Sequence, residues 1–181
     1  MFKILILLLS ISPTISLGDV DCSEHRVYCK IKELRPKIDD KRAMQLSNIL
    51  YGYAKKYGGD PILAVAIGMQ ETSLREKDRK QNSIEFFRTC SGGRCYEDWR
   101  VISTITDVCM FQFHVDTIVN YGMDPIRLRD DLSYCVEWHF KLMSQKIKEC
   151  KDLRGEAWSC YHSRTKKHRE MYIRDVERYL D

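Results

Sequence analysis

The sequence predicts a mainly α-helical domain in which β-structure is confined to one polar segment. Apolar residues recur at helical spacing on both sides of the chain's middle, and residues 62–69 are apolar on nearly every side. In contrast, residues 79–106 are mostly polar, contain Gly92 and Gly93, and show no helical period. This composition is typical of an irregular excursion or a short hairpin. Neither an internal repeat nor a low-complexity linker divides the chain, so we expect one domain.

The N-terminus has the pattern of a secretory signal. Lys3 precedes six large aliphatic residues, and small or turn-forming residues follow. The run is well short of the ~20 residues that a membrane-spanning helix needs. We therefore predict a signal peptide over residues 1–18 and a secreted or periplasmic domain over residues 19–181, with no stable membrane insertion after cleavage. An uncleaved anchor is the alternative, because Ser16-Leu17-Gly18 is a weak cleavage site.

Two helices are predicted in the first half of the domain. Residues 41–57 carry one apolar stripe, and two glycines follow that end the helix. Asp60 then has the features of an N-cap, and Pro61 those of a first helical residue. Because the helix that begins there is apolar on nearly every side, it is expected in the middle of the core.

The second half of the domain is also predicted to be helical. Apolar spacing indicates a long helix over residues 131–150 and shorter ones before and after it. The predicted shorter helices span residues 111–121, 156–161 and 170–180. For residues 22–40 the sequence suggests only a small disulfide loop.

Eight cysteines indicate disulfides, because an even number follows an export signal and the destination is oxidising. A zinc site would need clustered ligands, usually with two residues between paired cysteines, and that spacing does not occur. Local loops suggest Cys22–Cys29 and Cys90–Cys95 as pairs. Cys135 and Cys150 share one predicted helix, about 22 Å apart, and therefore should not pair with each other.

The net charge of +4 is modest and spread along the chain. Its densest cluster is most simply the solvated face of a helix, with attraction to an anionic polymer such as cell wall as the next interpretation. Aromatic stacking motifs and zinc-finger spacing are missing beside it, so we expect no nucleic-acid partner. The five histidines show no metal-binding pattern, and we expect a monomer without a metal. The basic cluster consists of Arg164, Lys166, Lys167, His168 and Arg169.

Glu71 is the principal candidate for chemistry. It ends the apolar helix, so its carboxyl leaves the core at the rim of a cleft. Burial against apolar groups raises the pKa of a carboxylic acid because the charged form loses hydration. Such a group can donate a proton to a leaving oxygen near neutral pH. The alternative is a solvent-facing glutamate paired with Arg75, four residues further along the helix.

Three segments, in order along the chain, resemble motifs of the soluble lytic transglycosylases. Residues 60–74 resemble the family's catalytic helix, which ends in a glutamate followed by a small hydroxyl residue, here Thr72. Cys109-Met110-Phe111-Gln112 resembles the family's Gly-Leu-Met-Gln segment. Tyr161-His162-Ser163-Arg164 resembles its Tyr-Asn-Ala-Gly segment, and a Tyr-x-x-x-Val pattern follows at Tyr172.

The resemblance implies a lysozyme-like fold, similar to goose lysozyme, and cleavage of peptidoglycan glycan strands without a metal or an organic cofactor. Glu71 would protonate the oxygen between N-acetylmuramic acid and N-acetylglucosamine. It would then remove a proton from the muramoyl 6-hydroxyl, giving a 1,6-anhydro product, with the substrate's N-acetyl group in place of a protein nucleophile.

The same resemblance implies the remaining site residues. Gln112 and Thr72 would bind the substrate, Met110 and Phe111 would form the cleft wall, and Tyr161 would orient Glu71 or the reacting sugar. Ordinary core packing is the alternative for Phe111 and Tyr161.

The sequence departs from the family pattern at four positions, where Cys109, His162, Ser163 and Arg164 replace Gly, Asn, Ala and Gly. Two other functions also remain open. One is a hydrolytic muramidase, with Asp107, Glu97 or Asp98 positioning water. The other is a non-catalytic wall-binding component of a secretion, conjugation or phage-entry apparatus that spans the envelope.

Overall fold

Helix α3 (Pro61–Thr72) lies in the middle of the core of the computed structural model. The structure describes residues 20–75, 84–91, 94–101, 107–153, 156–163 and 165–181, and of 84–91 and 94–101 it describes the backbone. The predicted signal peptide lies outside these residues. The Asp60 carboxylate accepts a hydrogen bond from the Ile62 N–H (2.8 Å), and Pro61 occupies the first turn, as predicted. Helix α3 contacts three other helices, and half of its residues are buried.

The two long helices, α2 (Asp40–Tyr57) and α6 (Leu132–Glu149), pack against each other beside α3. Their predicted bounds are confirmed to within two residues. An N-cap aspartate begins each, and α2 ends at Gly58, whose φ of 74° is a left-handed conformation that favours glycine. The hydroxyl of Tyr57 donates to Glu137 across the helix pair at 2.7 Å.

Helix α1 (Arg26–Leu34) was not predicted. Its buried face, formed by Val27, Tyr28 and Ile31, packs against α2 and α3. The predicted Cys22–Cys29 disulfide is confirmed and closes a loop at the start of the helix. After α1, the Arg35 guanidinium donates to the Leu74 carbonyl at 2.9 Å, which joins the N-terminal segment to the end of α3.

The polar segment contains the expected hairpin, with strand β1 (Ile84–Ser91) antiparallel to β2 (Arg94–Val101). The register places Cys90 opposite Cys95. The expectation that strands are confined to this segment is wrong, because β3 (Asp107–Val108) pairs with β4 (Phe113–His114).

The helix predicted over residues 111–121 is shorter than expected, because residues 111–114 form a turn and β4. Helix α4 (Val115–Asn120) follows, and α5 (Pro125–Asp130), which was not predicted, leads into α6. The Cys109–Cys135 disulfide joins the turn before β4 to α6.

The C-terminal part contains a 3-10 helix (Ala157–Tyr161) and helix α7 (Lys166–Glu177). The predicted last helix therefore begins four residues earlier and ends earlier than expected. Cys150 pairs with Cys160, so the prediction that Cys135 and Cys150 do not pair with each other is confirmed.

The mainly helical fold class is thus confirmed, with three disulfides among the described residues. Across the same residues, the helices are all too short or too polar to cross a membrane.

Candidate active site

Glu71 lies in a cleft of about 510 Å³ between the end of α3, the segment around β3 and β4, and the 3-10 helix. This volume falls within the range typical of ligand pockets. Of the residues assigned to the site from the sequence, the structure brings Glu71, Gln112, Phe111 and Tyr161 together here. The cleft is lined by Glu71, Asp107, Phe111, Gln112, Phe113, His114, Thr117, Leu142, Tyr161 and His162.

The carboxyl of Glu71 is held by a buried tyrosine. The Tyr172 hydroxyl, on α7, donates to Glu71 Oε1 at 2.6 Å. Burial raises the pKa of Glu71, the hydrogen bond from Tyr172 opposes this by favouring the carboxylate, and the negative charge of Asp107 raises the pKa further. The net direction is upward, as the sequence analysis predicted. The alternative of a solvent-facing ion pair with Arg75 does not fit this position.

The backbone on both sides of the cleft is strained. In the described part of the chain, the non-glycine residues with positive φ are Ser73 (56°), Leu74 (55°), Cys109 (65°) and Gln112 (50°). Two directly follow α3, and two belong to the turn that faces it. Such conformations cost of order 1–3 kcal/mol each and cluster at functional sites. A functional site at this position is therefore favoured independently of the side chains.

Thr72 joins the two strained segments. Its buried hydroxyl donates to the Met110 carbonyl at 3.0 Å, with the Gly68 carbonyl at 3.3 Å. The hydroxyl is thereby committed within the protein, so Thr72 positions the loop of Met110 and does not project into the cleft, contrary to the substrate-binding role assigned to it.

Met110 also differs from its predicted role. Its side chain lies in the core and does not belong to the described lining of the Glu71 cleft. Met110 packs closely on α3, since a Cβ added to Gly68 would lie 3.1 Å from its Cε and 2.7 Å from Leu74 Cδ2. The absence of a side chain at Gly68 is what allows this approach.

Gln112 and Phe111 line the cleft as the resemblance implies. The Gln112 side-chain amide donates to the Cys109 carbonyl at 2.9 Å, which leaves its amide oxygen for a ligand. Phe111 is almost fully buried and stacks on His139 with ring centroids 3.8 Å apart. Burial lowers the pKa of His139 to about 3, so this imidazole is a neutral support beneath the cleft.

Tyr161 lines the cleft, but it does not hold Glu71. Its hydroxyl donates to the Phe111 carbonyl at 3.3 Å, and burial, with the charge of Glu71, raises its pKa. Of the two roles expected for Tyr161, orienting Glu71 is corrected, because Tyr172 donates the hydrogen bond to that carboxyl; orienting the reacting sugar stays a prediction. From the sequence, Tyr172 was recognised only as part of the Tyr-x-x-x-Val pattern, and no role was predicted for it.

Asp107 is the second carboxyl of the cleft, at the start of β3. The sequence named it as a possible water-positioning group. The side chains of the other two candidates, Glu97 and Asp98, lie outside the described residues.

Several lining residues were not predicted from the sequence. Phe113, His114, Thr117 and Leu142 carry no motif, and only the pairing of β3 with β4 and the packing of α6 bring them to the cleft.

In the described ranges, histidine, cysteine, aspartate and glutamate side chains nowhere form a group of three suited to hold a metal ion. Comparisons with protein-family models, curated proteins and solved structures find no match to this chain. The function therefore has to be inferred from the chemistry of the cleft.

Proposed function

We propose that this protein is a lytic transglycosylase with a lysozyme-like fold that cleaves peptidoglycan, using Glu71 as its single acid and base. The observation that carries the proposal is the buried Glu71 carboxyl in the cleft, with a raised pKa and a hydrogen bond from Tyr172. The three motif resemblances supply the substrate class. The disulfides fit an extracytoplasmic site of action, where peptidoglycan lies.

The Tyr172 hydrogen bond suits both halves of this reaction. While Glu71 is protonated, donation to Oε1 makes Oε1 the carbonyl oxygen and leaves the acidic proton on Oε2. That proton passes to the glycosidic oxygen as its bond to the muramoyl anomeric carbon breaks. The resulting carboxylate is stabilised by the same hydrogen bond.

The carboxylate of Glu71 then takes the proton of the muramoyl 6-hydroxyl as that oxygen bonds to the anomeric carbon. The products are a 1,6-anhydro end and a free 4-hydroxyl, and Glu71 returns to its protonated form. The Gln112 amide oxygen would accept a hydrogen bond from a sugar N–H or O–H group, a role supported by its position in the cleft lining.

Hydrolysis is the second candidate, because Asp107 lines the same cleft and its charge acts on Glu71. In a hydrolytic muramidase, Asp107 would position a water molecule on the opposite side of the anomeric carbon. The two reactions differ in whether water is consumed, so product mass separates them.

The test is digestion of purified peptidoglycan by the mature protein, with the products read by mass spectrometry. Glu71→Gln should reduce the rate by about 10²–10⁴-fold, the usual contribution of a general acid and base. Glu177→Gln, at an exposed position on α7, is the matched control and should retain full activity.

Anhydro products that depend on Glu71 would support the transglycosylase. Reducing-end products, one water heavier, would assign a hydrolase, and their loss in Asp107→Asn would identify the water-positioning residue. A folded but inactive wild-type protein that still binds peptidoglycan would overturn both and favour the wall-binding component of an envelope-spanning apparatus.

A further inference from the structure

His162 has a rigidly held position at the rim of the cleft. It directly follows the 3-10 helix, and its backbone N–H donates to the Ser159 carbonyl at 3.1 Å. Two residues before it, Cys160 is bonded to Cys150 at the end of α6. The residue directly before His162, Tyr161, donates a hydrogen bond to the Phe111 carbonyl. The backbone at His162 is therefore fixed from both α6 and the Phe111 turn.

The imidazole of His162 lies flat against the ring of Tyr172. The ring centroids are 4.1 Å apart and the planes differ by 5°. This separation leaves little room for the Tyr172 ring to tilt toward His162, since carbon atoms in contact lie about 3.5–4.0 Å apart. Trp158, from the same 3-10 helix, also contacts the ring, with centroids 6.1 Å apart and an interplanar angle of 50°.

Tilt is the motion that matters for Glu71. The hydroxyl oxygen of a tyrosine lies on the axis of its ring, so rotation about that axis leaves the oxygen in place. A swing of the whole ring, however, displaces the oxygen and lengthens the 2.6 Å hydrogen bond to Glu71 Oε1. A flat group stacked on the ring restrains this swing.

We propose that His162 is a positioning residue for Glu71, which acts by stacking on Tyr172 and holding its hydroxyl in place for donation to the carboxyl. A flat ring at this position, not a titrating or hydrogen-bonding group, is the property that the role requires. The catalytic meaning of this role rests on the proposed function, whereas the effect on the Glu71 carboxyl does not.

The proposal predicts a defined set of changes in the pKa of Glu71. Tyr172→Phe should raise it, because the hydrogen bond that favours the carboxylate is lost. His162→Ala should raise it in the same direction by a smaller amount. His162→Phe restores a flat ring and should leave it close to the wild-type value. His162→Asn, which is polar but has no ring, should resemble His162→Ala and serves as the second variant should the alanine protein fail to fold.

Other titratable groups surround His162, but the substitutions at His162 leave them unchanged. Partial burial lowers the pKa of His162 itself, and the charge of His168 acts in the same direction, so both favour the neutral imidazole. Both His162→Ala and His162→Phe remove the imidazole, so the difference between them measures the effect of stacking on Tyr172. The surrounding groups are Tyr172 and His168 on α7, Tyr161 in the 3-10 helix, and Glu71, Asp107 and His114 across the cleft.

The experiment is an NMR titration of side-chain ¹³C-labelled glutamate carboxyls in the full mature protein. The Glu71 signal is identified by its loss in Glu71→Gln. An upward shift of the Glu71 pKa in His162→Ala that is absent in His162→Phe supports the proposal. An unchanged pKa, a downward shift from entry of water, or an equal shift in both variants overturns it.

Peptidoglycan digestion with the same variants tests the catalytic consequence separately. Tyr172→Phe should lower kcat roughly 10- to 100-fold, as expected for a hydrogen bond to a charged group. His162→Ala should lower kcat less, with KM nearly unchanged, and His162→Phe should recover most of the rate. If the wild-type protein cleaves no glycan, the proposed function fails while the titration still decides the role of His162.

Discussion

Replacing Gly68 by alanine tests the close contacts that α3 makes with Leu74 and with the turn that contains Met110 and Phe111. The new Cβ would lie 2.7 Å from Leu74 Cδ2, 3.1 Å from Met110 Cε and 3.5 Å from a ring carbon of Phe111. The first two distances are shorter than normal carbon contacts of about 3.5–4.0 Å. Gly52→Ala is the matched control, because Gly52 is also inside a helix, is exposed, and has no atom within 4 Å of an added Cβ.

The two substitutions should change the free energy of unfolding in different ways. Alanine is better than glycine in a helix interior by about 0.8–1.0 kcal/mol, so Gly52→Ala should stabilise by an amount of that order. At Gly68 the same gain is opposed by overpacking, which typically costs about 1–3 kcal/mol. The net effect there is a loss of up to ~2 kcal/mol, and the difference between the two variants measures the contact.

Thermal unfolding followed by circular dichroism, with disulfides intact, measures both variants. In a domain of this size 1 kcal/mol corresponds to about 2–4 °C in Tm. Adding Leu74→Ala should reduce the penalty of Gly68→Ala, because the nearest atom is then removed. The reasoning is refuted if Gly68→Ala raises Tm as much as Gly52→Ala does.

Three further predictions follow from the site and its supports. Tyr172→Phe should move the high-pH limb of the pH–rate profile to higher pH. Activity falls when Glu71 ionises, and loss of the hydrogen bond that favours the carboxylate raises the pKa of Glu71. An unshifted limb would contradict this. Replacing both cysteines of the Cys109–Cys135 disulfide by serine should lower the free energy of unfolding by about 3–4 kcal/mol. The same change at Cys22–Cys29 should have an effect smaller by about 1 kcal/mol, because the sequence separations are 26 and 7. Equal losses in denaturant unfolding would show that loop length is not decisive. His139→Phe should weaken the fall in the free energy of unfolding at acid pH. The unfolded chain takes up a proton at this histidine below about pH 6.5, whereas folded His139 does so only near its pKa of about 3, which gives a slope of up to ~1.4 kcal/mol per pH unit. If unfolding measured from pH 7 to 4 has the same slope in both proteins, this prediction is wrong.

The features that the sequence predicted well depend on neighbouring residues. The start of α3 follows from Asp60 and Pro61, whose capping acts within one turn. The position of Glu71 at the rim of the core follows from the apolar residues that precede it in the same helix. In both cases the deciding interactions lie within about ten residues.

Features that depend on distant contacts were not predictable in this way. Glu71 and Tyr172 are 101 residues apart, and the packing of α7 against α3 brings the Tyr172 hydroxyl into hydrogen-bond contact with the carboxyl. A motif can mark both tyrosines, but it does not specify which hydroxyl reaches Glu71.

The helix predicted from apolar spacing fails to form where a disulfide and left-handed backbone angles set the course of the chain. Residues 111–114 are apolar enough to suggest a helix, but positive φ at Cys109 and Gln112 turns the chain, and Cys109 is bonded to α6. Helix α1 shows the opposite case. Nine residues are too few for stable helix in isolation, so packing of its buried face and the Cys22–Cys29 disulfide support it.

Helix α6 carries a covalent attachment at each end, and both attachments lead to the cleft. Cys135 holds the turn that contains Phe111 and Gln112, whereas Cys150 holds the 3-10 helix that contains Tyr161. In a reducing solution, both sides of the cleft would be joined to α6 by non-covalent contacts alone. Thiol oxidation thereby stabilises the folded arrangement in which α6 supports both of these cleft segments.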